Sequence, residues 1–140
     1  MCKNKETVSK TVQPPKPVMC AAMNMDREAY LAAFEDTAYT VLNAFIQDDC
    51  IGVQLLYDQE CSNDRIELLW DYRMMKSLPP QAPFRLKIVR GKPCQESKTS
   101  MRKHWFWFSL NELSSPAYGG RVVIRINGYD KSLEYNYAQE

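Results

Sequence analysis

The chain has 140 residues, 45% hydrophobic and 25% charged, the composition of one globular domain with or without a tail. That excludes a wholly disordered chain, a collagen-like repeat and a disulfide miniprotein. Its 18 basic and 17 acidic residues leave a formal net charge of +1, which gives no support to a general polyanion binder.

Residues 1–22 read as a flexible basic, proline-rich tail, and 23–140 as a single domain. Lys3, Lys5, Lys10 and Lys16 stand against Glu6 alone in the first 17 residues, with no aromatic residue. Such a segment cannot offset its ordering entropy by burying apolar surface. Pro14-Pro15-Lys16-Pro17 favours an extended spacer, and its P-x-x-P spacing would also suit an SH3-type domain. Met19, Met23 and Met25 follow, so the native start is either Met1 or one of these. Residues 1–16 have no hydrophobic core, so no secretory signal is expected there. Cys2 would suit a trimmed lipoprotein only if an apolar segment preceded it. The five cysteines (Cys2, Cys20, Cys50, Cys61 and Cys94) are odd in number and form no C-x-x-C pair. They read as free thiols in a reducing compartment, hence a cytoplasmic protein. No apolar run approaches the ~20 residues of a membrane span.

The spacing predicts one helix over residues 26–47. Asn24 or Asp26 can cap it, and Tyr30, Phe34, Ala38, Val41, Leu42, Phe45 and Ile46 recur at three- and four-residue steps. Asp48-Asp49 oppose the dipole and end it. The period then changes to two. Ile51, Val53, Leu55 and Tyr57 alternate with Gly52, Gln54 and Leu56, and after a turn at Ser62-Asn63-Asp64 Ile66, Leu68, Trp70 and Tyr72 alternate with Glu67, Leu69 and Asp71. A loop with Pro79, Pro80 and Pro83 precedes a strand at Phe84, Leu86 and Ile88. Residues 91–100 read as an exposed loop. Residues 103–110 form an aromatic strand, with His104, Phe106 and Phe108 on one face and Trp105 and Trp107 on the other. Val122, Ile124 and Ile126 make the next strand. Asn127-Gly128 predicts a two-residue hairpin that sets Ile126 opposite Tyr129 and Val122 opposite Leu133. The last strand carries Tyr129, Leu133, Tyr135 and Tyr137. The expected fold is α+β: one N-terminal helix packed on a mostly antiparallel sheet of about six strands in meander order. Uncovered, the last strand could pair with a second copy as a homodimer.

Chemistry is sparsely signalled. The single histidine, His104, and the missing C-x-x-C leave no zinc framework, and no metal or cofactor is expected. There is no G-x-S-x-G elbow and no phosphate-cradling glycine loop, and no catalytic residue is assigned. A small enzyme would have to pair His104 with a loop cysteine, Cys61 or Cys94, or with a carboxylate; otherwise His104 is a satisfied residue at the core edge.

Charge is distributed more tellingly than its total. Residues 26–71 hold eleven acids and two bases, and residues 73–103 hold nine bases and one acid. Either the two regions offset each other inside the fold, or they form patches for a charged partner. Away from the expected core point Arg85, Lys87, Trp105, Trp107, Arg121 and Arg125. Three occupants suit such a face: the tail or a long loop, a protein partner, or single-stranded nucleic acid stacked on the rings. The preferred reading is a protein–protein interaction module of inhibitor or immunity type, using these six residues. A single-stranded nucleic-acid binder is the alternative.

Leu56-Tyr57, Leu69-Trp70-Asp71-Tyr72, Trp105, Gly120 and Tyr129-Asp130 resemble the strand signatures of the YezG-like family of bacterial immunity proteins. That resemblance implies a non-enzymatic protein that binds and blocks a toxin of its own cell. It carries over no functional residue. The family has a long helical stretch before its Trp-led strand, where this chain has Pro79, Pro80, Pro83 and a basic strand.

Overall fold

The computed structural model describes residues 19–33, 38–91 and 100–137. The chain forms a short helix, α1 (Arg27–Ala32), and seven strands: β1 (Tyr39–Gln47), β2 (Cys50–Gln59), β3 (Arg65–Leu69), β4 (Gln81–Val89), β5 (Ser100–Ser109), β6 (Arg121–Ile126) and β7 (Ser132–Asn136). They make two sheets, one ordered β1-β2-β5 and the other β3-β4-β6-β7. The α+β, mostly antiparallel expectation holds. The single six-strand meander does not, because β5 leaves for the other sheet and β4 pairs with β6 in parallel.

All six strands read from the period-two pattern are present. The seventh comes from the helix prediction, which is corrected: α1 stops after six residues and residues 39–47 are a strand. Asp26 caps α1, its carboxylate accepting from the Glu28 N–H at 3.3 Å. In β1 the register slips between Val41 and Asn43, a bulge that adds one residue. The inward side chains become Tyr39, Val41, Ala44 and Ile46, all in or against the core. Steps of two, three and two mimic a helical stripe. Asp48-Asp49 form the tight turn to β2, with Asp48 at φ 55°, a conformation Asp tolerates better than most residues.

One core lies between the sheets. It holds Val53 and Leu55 from β2, Leu68 beside Trp70, Phe84 and Leu86 from β4, and Val122 and Ile124 from β6. The second sheet, rather than a helix, therefore covers the face that the pattern marked as buried. The β6–β7 hairpin is longer than two residues. Ile124 faces Leu133 and Val122 faces Tyr135, a two-residue shift that leaves every side chain on its expected face.

The segment before α1 ties the sheets together. The Ala21 N–H donates to the Trp107 carbonyl at 3.0 Å and the Ser109 N–H to the Ala21 carbonyl at 2.7 Å, on the edge of β5. Three residues on, the Asn24 N–H donates to the Leu68 carbonyl at 2.8 Å and the Trp70 N–H to the Asn24 carbonyl at 3.1 Å, on the edge of β3. Met23 between them is buried. Cys20 and Ala21, placed in the tail by the sequence, are thus part of the fold; residues 1–18 lie outside the described residues. Cys20 is disulfide-bonded to Cys50, 30 residues away, and Cys61 is disulfide-bonded as well. The free-thiol expectation is corrected for these three cysteines. Cys2 and Cys94 lie outside the described residues. Among the described residues no helix is long and apolar enough to cross a membrane.

Candidate functional site

The β1-β2-β5 sheet is apolar on its inner face and mixed on its outer face, where aromatic and apolar side chains stand among polar ones. Its inner face, with Ile51, Val53, Leu55 and Phe108, belongs to the core. On its outer face Phe45 lies opposite Gly52, and Gly52 opposite Trp107. The next rows set Asn43 by Gln54 by Trp105, and Leu56 by Lys103; Asp58 and Met101 follow. The Trp107 indole lies on Gly52: a Cβ there would sit 2.7 Å from the ring. This is a close approach only glycine permits. Trp105 stacks on Trp107, with centroids 6.0 Å apart and planes at 19°. Trp107 Nε1 is buried without a hydrogen-bond partner. Both indoles are half-buried, while Phe45 (46%) and Met101 (58%) are exposed. The Asn43 amide donates to Gln54 Oε1 at 2.8 Å on the same face.

The six residues singled out by the sequence do not assemble. Trp105 and Trp107 belong to one sheet. Arg85, Lys87, Arg121 and Arg125 belong to the outer face of the other, and the core lies between. Arg85 is engaged with α1. Its guanidinium sits 4.0 Å from the Tyr30 ring centroid, and its Nη1 donates to the Tyr30 carbonyl at 2.6 Å. Burial raises the Tyr30 phenol pKa, and Arg85 opposes that rise. Lys87 lies opposite Glu67. Arg121 pairs with Glu134 at 2.6 Å, and that hydrogen bond lowers the Glu134 pKa. Arg125 is exposed. Of the cations named, none stands on the tryptophan face, whose basic residue is Lys103. The interleaving of rings and cations that single-stranded nucleic acid needs is therefore not built from this set.

The catalytic alternative loses one of its parts. His104 is exposed and meets Phe106 edge-on at 6.3 Å. Cys61 is buried and disulfide-bonded, so it supplies no thiolate. Cys94 lies outside the described residues.

Sequence reasoning missed Phe45 and Leu56 near the tryptophans, and Met101 farther along the same face. Phe45 was absorbed into the apparent helical stripe. Leu56 and Met101 could have been found by aligning β2 with β5 through Val53 and Phe106.

No protein-family model, curated protein or solved structure matches this chain. The YezG-like resemblance therefore rests on the residues quoted for it alone.

Proposed function

We propose that this protein is a non-enzymatic protein-binding module whose partner docks on the outer face of the β1-β2-β5 sheet. The observation that carries this reading is the outer face, where the stacked Trp105 and Trp107 lie with exposed Phe45 across Gly52 from Trp107. An antiparallel sheet commonly keeps one polar face in water, so stacked indoles and an exposed phenylalanine on that face mark it for contact, and aromatic side chains dominate the energetics of protein interfaces. An inhibitor or immunity role is the narrower form of the proposal, in which docking blocks the partner's activity.

The compartment proposed is an oxidising one, in place of the cytoplasm expected from the sequence. Its support is the Cys20–Cys50 disulfide and the bonded Cys61, since such bonds persist mainly outside reducing compartments.

Immobilised protein mixed with extract of its source at low salt should retain a protein that the Phe45→Ser/Trp105→Ala variant does not. Equal retention by that variant would overturn the assignment of this face. Quenching of tryptophan fluorescence by a single-stranded oligonucleotide, weakening steeply with salt, would replace it with the nucleic-acid reading.

A further inference from the structure

A sheet edge is a row of unpaired backbone N–H and C=O groups, and folds blunt such rows with short strands, charges, bulges or a covering segment. The two sheets end in four edges, β1 and β5, β3 and β7. The Ala21 backbone bonds the β5 edge at Trp107 and Ser109, and the Asn24 backbone bonds the β3 edge at Leu68 and Trp70. The start of β5 carries Arg102 and Lys103. β7, the strand that the sequence offers to a second copy, is five residues long, and its Glu134 pairs with Arg121. β1 is guarded less. Its nine residues include no charge, no proline and no glycine, and among the described residues no strand pairs with its far side. The bulge between Val41 and Asn43 protects its first half. Residues 43–47 are left as a regular, uncharged edge.

We propose that residues 43–47 of β1 pair antiparallel with the same residues of a second copy, about a two-fold axis at Phe45. That register sets Phe45 against Phe45, Asn43 against Gln47 and Ala44 against Ile46. Aromatic ring meets aromatic ring and amide meets amide on the outer face, while Ala44 and Ile46 stay on the core side, where both already pack. A slip of one residue would set outer side chains against inner ones. A slip of two would bring in the bulge at one end or the Asp48-Asp49 turn at the other.

The space beside β1 suits this partner. A hollow of about 360 Å³ lies between β1 and β7, lined by Ala44, Ile46, Tyr129 and Leu133 among others. Ile46 of the second copy, standing opposite the small Ala44, enters it. On the outer face the row of Trp107, Gly52 and Phe45 runs on into Phe45, Gly52 and Trp107 of the second copy, across one sheet of six strands. The pairing does not depend on what that face docks.

The test uses the full chain with its disulfides intact. Sedimentation velocity should shift from one chain mass to two as concentration rises through the micromolar range. Hydrogen exchange at the two ends of that range should show protection gained within residues 43–47 and unchanged within 132–136. Phe45→Lys sets two like charges face to face at the axis and should weaken the dimer at least about tenfold. Phe45 is exposed, and an amide spectrum unchanged away from β1 confirms that the variant is folded. Trp105→Ala should leave the dimer intact. A chain monomeric at every concentration would overturn the pairing and leave the proposed docking face standing. Protection gained at 132–136 instead, a dimer untouched by Phe45→Lys, or a dimer lost in Trp105→Ala would overturn it too. Conversely, a chain that dimerises through residues 43–47, while its Phe45→Ser/Trp105→Ala variant still retains the partner protein, would overturn the docking face and support the pairing.

Discussion

Asp64 shows how much one side chain organises here. Its carboxylate accepts from the backbone N–H groups of Glu60 at 2.9 Å, Cys61 at 3.1 Å and Gly91 at 2.8 Å, and from Arg90 Nη1 at 2.8 Å. It closes the β2–β3 turn and fastens it to the end of β4. Burial pushes the carboxyl pKa up, but the hydrogen bonds from Gly91, Cys61, Glu60 and Arg90 outweigh that and bring it to about 2. A pKa depressed in the folded state stabilises the protein above the unfolded value of 3.8, and that contribution is lost as pH falls from there through about 2. Asp64→Asn should remove about 1–3 kcal/mol at neutral pH and flatten the acid limb of stability in urea titrations between pH 4 and about 2. An acid limb identical in the variant would show that Asp64 does not carry it. The sequence marked Ser62-Asn63-Asp64 as a turn. It gave no sign of Gly91 as a partner, because that hydrogen bond depends on β4 returning beside β3.

At the scale of elements, the sequence was legible where one residue type dominates a period and silent where an irregularity changes it. The bulge at Leu42 turned a strand into an apparent helix because one inserted residue converts a two-step into a three-step. The β6–β7 register was misjudged for a different reason: a slip of two residues preserves the faces, so pattern alone cannot detect it. The cysteines defeated sequence reasoning altogether, since an odd count without tight spacing looks like free thiols. In the fold, Cys20–Cys50 anchors the segment whose backbone bonds both sheet edges at Ala21 and Asn24. Replacing both residues, as Cys20→Ser/Cys50→Ser, should cost about 3–4 kcal/mol for a closed loop of this length. Hydrogen exchange should rise most at the Ser109 and Trp70 amides, which donate to that segment. Unchanged protection at those two amides would mean that the segment holds its place without the bond.

For the whole molecule, the charge total of +1 conceals a cancellation that is partly internal. The acidic stretch contributes β3 and the basic stretch contributes β4, and these strands pair. Arg90 meets Asp64 at 2.8 Å and Glu60 at 3.6 Å, and Arg73 meets Asp71. Alternation along a strand shows which residues point out, but not out of which sheet, so the Trp and Arg sets looked like one surface until β5 was placed away from β4 and β6. The same two-sheet construction carries crosslinks. The chain has five cysteines; Cys20, Cys50 and Cys61 are all bonded, and Cys61 needs a partner from the remaining two. Protein made in an oxidising compartment and unfolded in guanidinium without reductant should therefore titrate about one thiol per chain with Ellman's reagent, rising to five after reduction. A count near five before reduction would remove both the crosslinked fold and the oxidising compartment inferred from it. A count near three would retain one bond, and peptide mapping would then show whether it is the one that anchors the segment between the sheets.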